Sequence, residues 1–211
     1  MLPDKLGDLV PLTQALVKPA SLTCARAFAD DETTHFLIPD ASKRDNLRFS
    51  FEYYLNLTLV TGQGTYVTSP RCEGVAIWFE SPHKESLIDH LRAGFPLLPL
   101  RAGWGYLLRE SRLDLHFSRL RRELAPTRHV YLGVLAVDPA CQGQGFASKL
   151  LRPMLEYLDR NKMPAYLETQ NLRNVGMYRG WGFDLIKEEA LPDTGLKLFL
   201  MLRQPKSANV S

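Results

Sequence analysis

Cysteine is scarce in this chain, with three in 211 residues, and Cys24, Cys72 and Cys141 lie too far apart to pair as metal ligands. An odd, scattered set excludes the disulfide framework that staples small secreted domains, and it suits a reducing cytoplasm. Long apolar runs are missing too. None approaches the roughly 18–20 residues that cross a bilayer, and Met1-Leu2-Pro3-Asp4-Lys5 is not a basic segment leading into an apolar one. Neither a membrane span nor a secretory leader is therefore expected. Charge of one sign is not in excess: 26 Lys and Arg against 23 Asp and Glu leave +3, too little for a nucleic-acid surface. His35, His83, His90, His116 and His129 stand in no triad and no metal spacing, so no metal is expected and surface or helix-end roles fall to them. Repeats and low-complexity segments are absent.

What is present is an ordinary globular balance, 45% hydrophobic and 23% charged, at a length that buries a full core in one domain, residues 1–211. Strands are expected at 10–17, 64–68, 74–80, 129–137, 165–169, 183–187 and 196–201. Helices are expected from a Ser21 cap to about residue 30, over 40–59, 84–92, the later part of 94–122, 147–160 and 173–181. Residues 129–137 are apolar on both faces, as in a central strand covered on both sides. Leu150, Leu151, Met154, Leu155 and Leu158 make one stripe of the helix that follows, and Pro153 inside it predicts a kink or a lost hydrogen bond. Arg109, Arg112, Arg119, Arg121 and Arg122 interleave with apolar residues, which reads as a solvated helix face before a binding patch. The polar tail 204–211 is expected to fray.

Most of the chemistry lies in residues 129–183. The apolar strand ends in the turn Asp138-Pro139-Ala140-Cys141, and Gln142-Gly143-Gln144-Gly145-Phe146-Ala147 then opens directly into a helix. Small residues at a helix start present N–H groups to an anion, and the helix dipole adds to the attraction, so a phosphate-bearing ligand is expected. No Gly-Lys-Ser/Thr follows, which excludes a triphosphate-binding loop. A dinucleotide loop fits poorly, because Ser148 stands where the third Gly or Ala belongs and four residues separate the strand from Gln142. Cys141 beside the loop reads as a small buried apolar residue, not a nucleophile.

Gln142-x-x-Gly145-x-Ala147 resembles the acyl-CoA pyrophosphate loop of the GNAT superfamily of N-acetyltransferases, and Tyr178-Arg179-Gly180-Trp181-Gly182-Phe183 resembles its Tyr-x-x-x-Gly-Phe segment. The spelling is most similar to the branch containing puromycin N-acetyltransferase, through Val137-Asp138-Pro139, Tyr166-Leu167-Glu168-Thr169, Arg173-Asn174 and Gly74-Val75-Ala76-Ile77-Trp78. The resemblance implies an α/β fold, with a mixed, mostly antiparallel sheet splayed at its centre and flanked by helices. It implies an acyl-CoA-binding core at about 129–187, acceptor-site segments within 20–126, and acetyl-CoA as cosubstrate. A small-molecule amine would be the acceptor, acetylated by direct transfer in a ternary complex, in a cytoplasmic monomer or homodimer without nucleic acid or membrane.

Carried over residue by residue, Leu135 and Val137 offer main-chain groups to the pantetheine arm, and the Val137 N–H polarises the acetyl carbonyl. Gln142, Gly143, Gln144, Gly145, Phe146 and Ala147 ring the pyrophosphate, with Gly145 least tolerant of a side chain. Asn171 or Asn174 binds the cofactor's amides while the other caps a helix. Tyr178 is the candidate acid for the departing thiolate. For Glu168 three roles stay open: base, anchor for the ammonium, or structural ion pair. Trp78, Phe79, Trp104, Tyr106, Tyr53 and Tyr54 are candidates for an aromatic acceptor pocket, with core packing as the alternative. A non-catalytic acyl-CoA sensor and a protein lysine or N-terminal acetyltransferase remain as competing readings.

Overall fold

The computed structural model describes residues 2–191 and 194–206. Seven strands form one sheet: β1 (Val10–Pro11), β2 (Gly64–Val67), β3 (Gly74–Ser81), β4 (His129–Val137), β5 (Ala165–Thr169), β6 (Asp184–Ala190) and β7 (Lys197–Arg203). Their spatial order is β1-β2-β3-β4-β5-β7-β6, and every neighbouring pair is antiparallel except β4 with β5. The helices are α1 (Gln14–Ala27), α2 (Glu32–Leu37), α3 (Leu47–Thr61), α4 (Leu87–Arg92), α5 (Leu98–Ala102), α6 (Trp104–Leu124), α7 (Phe146–Arg160) and α8 (Leu172–Gly180).

Alternation along the strands divides the core between the two faces of the sheet. On one face Val130, Leu132, Ala165 and Leu167 pack under α7 and α8, and the whole predicted α7 stripe from Leu150 to Leu158 is buried there. On the other, Tyr166, Leu198 and Leu200 meet Leu113 and Leu120 of α6, while Val75 and Ile77 meet α1 and α3. The helix α7 continues through Pro153, which supplies no N–H to the Lys149 carbonyl.

The first 30 residues depart from the expectation. Only Val10 and Pro11 pair with β2, and the chain turns helical at Gln14. Ser21 is no cap; it lies buried inside α1 and its hydroxyl donates to the Lys18 carbonyl at 2.9 Å. Pro19 stands within that helix, so a residue normally taken as a boundary is tolerated because Val17, Ala20 and Cys24 bury one face. At the other end, the expected fraying does not begin at residue 204. Arg203 grips Asp159 through two bonds of 2.7 Å, and the Lys206 N–H donates to the same carboxylate at 2.8 Å. Residues 207–211 of that tail lie outside the described residues.

The feature that positions the site is the short reach of the one parallel pair. β4 and β5 are paired only from Val130 to Leu132 against Ala165 to Leu167. Beyond those residues β4 continues along β3 to Val137 and β5 continues along β7 to Thr169, so a gap opens between them. At the first residue of the gap, Gly133, the β3–β4 register slips, with Leu132 opposite Trp78 and Val134 opposite Ile77. Such a bulge bends its strand and re-aims the residues that follow. Glycine is required there, because a Cβ would stand 2.7 Å from the Phe79 ring, which is itself stacked on Tyr131. Gly133→Val is therefore expected to lower the unfolding free energy by about 1–3 kcal/mol through overpacking. Denaturant unfolding unchanged from the parent would show that the bulge has room to spare.

Candidate active site

The gap is lined by backbone. Both polar main-chain groups of Gly74 are engaged on the β2 side, its C=O by the Thr68 N–H (3.1 Å) and its N–H by the Thr68 hydroxyl (3.0 Å). Its β4 partner Val137 therefore turns its own N–H and C=O away from β3, and alternation turns Leu135 the same way. The next residue confirms the sense, since the Asp138 N–H donates to Glu73 on the β3 side at 2.8 Å. Leu135 and Val137 thus aim main-chain groups into the gap. The Val137 carbonyl accepts from the Gln142 amide at 3.3 Å, which folds the loop back over the end of the strand.

Asp138 anchors the loop. Its carboxylate accepts from the Ala140 N–H at 3.1 Å and from Arg26 at 2.9 and 2.5 Å. Burial alone would raise its pKa, but the Arg26 guanidinium and the Ala140 N–H hold it below the usual carboxylate range. Gly143 and Gly145 adopt φ of +75° and +84°, and a Cβ on either would meet nothing within 4 Å. Both face open space in a conformation that disfavours a side chain. Gly145 is also the N-cap of α7 and provides no side-chain cap, while no acid occupies the first turn. The first N–H groups of α7 are left for an outside acceptor, which is what an anionic group needs. Gln142, Gly143, Gln144 and Gly145 are exposed, with Phe146 and Ala147 half-buried behind them. Cys141 is half-buried and not part of the core, contrary to expectation, because the short turn Pro139–Cys141 runs along the surface.

Across the gap, the two asparagines separate. Asn171 is the N-cap of α8, accepting from the Arg173 N–H at 2.9 Å. Asn174 instead reaches back to the Thr169 hydroxyl at the end of β5, at 3.3 Å. Tyr178 lies near the end of α8 with 7% of its surface exposed, its ring edge-on to Phe183 at 5.8 Å. Among the described residues its hydroxyl makes no hydrogen bond, and burial pushes its pKa well above the ordinary phenol value. The group is a proton donor at any neutral pH.

Glu168, one residue past the last β4–β5 pair, has a side chain only 2% exposed. Arg121 donates to it twice, at 3.3 and 2.9 Å, and the Tyr131 hydroxyl once, at 3.0 Å. The same guanidinium lies over the Tyr131 ring at 3.6 Å. Burial works against its charge, but the neighbouring phenols and Glu168 hold it protonated. Arg121 is thus no member of a solvated face: it turns inward from α6 to the root of the gap. Arg109 turns inward as well, with two bonds to the Leu37 carbonyl at 2.9 and 2.6 Å. Arg112, Arg119 and Arg122 are exposed as expected. Tyr166 is fully buried on the same face and feels the charge of Glu168, yet among the described residues its hydroxyl completes no hydrogen bond. His129 is buried too, its Nδ1 2.6 Å from the Pro126 carbonyl, in place of the surface role expected of it. The aromatic candidates do not converge on one pocket: Trp78 is buried under α7, Trp104 is 65% exposed and Phe79 stacks on Tyr131, while Tyr53, Tyr54 and Tyr106 gather separately between α3 and α6. Arg121, Tyr131 and Gly133 were missed in the sequence, where only the position of Arg121 among the leucines of an amphipathic helix hinted at burial.

Residues 105–183 match the model of the acetyltransferase (GNAT) family. The match covers 79 of the 211 residues. Acetyl-CoA is the acyl donor of that family's members, and the uncapped α7 with its glycine loop fits the donor's pyrophosphate. An uncharacterized N-acetyltransferase of Schizosaccharomyces pombe is 32% identical over 80 residues, 37% of this chain and 31% of the relative. A mycothiol acetyltransferase of Brachybacterium faecium is 34% identical over 74 residues, 33% of this chain and 22% of the relative. The matches thus span about a third and about a fifth of these curated relatives. In fold, the chain is similar to a Corynebacterium glutamicum structure described as histone acetyltransferase HPA2 and related acetyltransferase, with a TM-score of 0.61 and 21% identity over 96% of this chain and 98% of that one. No helix among the described residues is long and apolar enough to cross a membrane.

Because Arg121 and Glu168 are paired and buried, breaking the pair has a distinct signature. Glu168→Met alone leaves an uncompensated guanidinium and is expected to cost about 3–5 kcal/mol, whereas Glu168→Met with Arg121→Met should recover most of that loss. If turnover recovers with stability, Glu168 is structural; if the repaired variant stays inactive, the carboxylate takes part in chemistry.

Proposed function

We propose that the chain transfers the acetyl group of acetyl-CoA to a primary amine of a small molecule, directly, while donor and acceptor are both bound. The observation that carries this reading is the gap between β4 and β5, into which Leu135 aims its N–H and C=O and Val137 its N–H, and which ends at the uncapped start of α7. A pantetheine arm is a chain of amides that pairs with such an edge as an added strand would. The likeness of 137–139, 166–169, 173–174 and 74–78 to the puromycin N-acetyltransferase branch supports a small-molecule acceptor, and the three free thiols suit the cytoplasm. A monomer or homodimer acting away from nucleic acid and membrane is part of the same reading.

Acetyl-CoA, when bound, supplies an activated thioester carbonyl. The Val137 N–H points where it can donate to that carbonyl oxygen as negative charge develops there. Residues 142–147 hold the pyrophosphate, and Asn174, free of the capping duty that occupies Asn171, binds the amides of the arm. The amine nitrogen bonds to the acetyl carbon and the carbon–sulfur bond breaks. Tyr178 gives its proton to the sulfur. Three hydrogen bonds already occupy Glu168, so the proton leaving the amine reaches it through the Tyr131 hydroxyl.

The test is thiol release from acetyl-CoA across a panel of amines, with Tyr178→Phe as the diagnostic variant. Loss of a positioned acid is expected to lower kcat by about 10²–10⁴-fold while acetyl-CoA affinity by titration is retained. A kcat within about twofold of the parent, on a substrate whose chemical step is rate-limiting, would return Tyr178 to packing.

A further inference from the structure

The segment between β3 and β4 carries a second polar group on α6, and its chemistry differs from that at Glu168. Tyr106 and Glu110 stand one turn apart on α6, and Ser50 and Tyr54 one turn apart on α3, so two pairs of polar side chains face each other. The Tyr54 hydroxyl donates to Glu110. Burial raises the pKa of that carboxyl, the Tyr54 bond lowers it, and the nearby Asp114 raises it again. No cation contributes. Among the described residues Glu110 has no ion-pair partner: the adjacent Arg109 is spent on the Leu37 carbonyl, and Arg101 pairs with Glu52.

A largely buried carboxylate with no counter-charge is unfavourable, and native folds normally pair it. A second observation points the same way. The Ser50 hydroxyl, on a residue 2% exposed, lies beside the Tyr106 phenol without completing a hydrogen bond to it or to any other described residue. Donor and acceptor capacity is therefore left unused on both helices at one place. Tyr53 adds an aromatic wall, with its ring 5.5 Å from that of Tyr54 and its hydroxyl 2.6 Å from His90 Nδ1. Aromatic faces beside a carboxylate favour an organic ammonium over a hydrated metal ion.

Position decides which ammonium. Glu110 is eleven residues before Arg121, which holds Glu168 at the root of the gap; at the helical rise that is about 16 Å along the α6 axis. A nitrogen on Glu110 is out of reach of the acyl-transfer geometry. Asp114 lies between, close enough to act on both Glu110 and the Tyr131 phenol, and it is exposed.

We propose that Glu110 binds a second cationic group of the acceptor, remote from the nitrogen that is acetylated, so that the acceptor is a dication of the alkyl-diamine type. The assignment rests on the acyl-transfer reading above and deepens it. The α6 helix serves as the ruler, with the reacting end of the acceptor beside Tyr131 and Glu168 and the distal ammonium on the Glu110 carboxylate oxygen that Tyr54 leaves free.

The experiment is a calorimetric titration of the protein, with CoA present, by α,ω-diamines of four to twelve carbons and by the matched monoamines. The best diamine is expected to bind about tenfold or more tightly than its monoamine, the scale of one charge-assisted hydrogen bond in a dry site. Glu110→Gln should erase that preference and leave monoamine affinity within about twofold, which also shows that the variant is folded. A wild-type protein on which no diamine outbinds its monoamine would overturn the proposal, as would a preference that survives Glu110→Gln. Thiol release measured on the same pairs separates the two readings. Turnover without diamine preference refutes the Glu110 site alone, and charge-selective binding without turnover supports the site while counting against acyl transfer.

Discussion

Backbone polar groups without partners are costly inside a fold, and the gap between β4 and β5 leaves a row of them along one strand. The rest of the structure is arranged around keeping that gap open. A fully zipped parallel pair would satisfy the Leu135 and Val137 main chain and leave nothing for a ligand to bind. The bulge at Gly133 turns β4 away at the residue where pairing stops, and Phe79 stacked on Tyr131 fills the space that a side chain on Gly133 would need. Gln142 folds back to satisfy the Val137 carbonyl, so the strand end stays ordered without closing.

The root of the gap is closed by a charge pair and not by apolar packing. Arg121 and Glu168 are largely out of water, and desolvating two ions recovers little net stability even when the bonds between them are good. What the pair provides is a fixed link between α6 and β5, from side chains 47 residues apart in the chain. Tyr131 sits under the guanidinium and donates to the carboxylate, so one network orders α6, the strand and the phenol nearest the gap. Around this link the charges are segregated. The loop and the uncapped α7 offer positive potential, while Glu110 and Asp114 line the far end of α6. A net charge of +3 gives no sign of that division.

Residues 129–183 were legible because local rules and tertiary context agree there. A strand buried on both faces, a left-handed glycine loop and an amphipathic helix each have short-range signatures, and the structure places them where the periodicity put them. The first half of α1 was not legible, since its apolar residues up to Val17 mimic a strand; only packing against α3 and β3 resolves it. Arg121 failed for a related reason. An arginine in an amphipathic helix looks solvated until the sheet brings Glu168 opposite it, 47 residues along the chain. Gly133 carries no local sign of its role, because the clash that demands glycine comes from Phe79 on a neighbouring strand.

The central claim is that the β4 edge itself, and not only the glycine loop, receives acetyl-CoA. Amide hydrogen exchange read residue by residue, with and without acetyl-CoA, tests it most directly. The account predicts slowed exchange at Leu135 and Val137 together with the amides of residues 143–147. Protection confined to the loop, with Leu135 and Val137 exchanging at their unliganded rate, would contradict it.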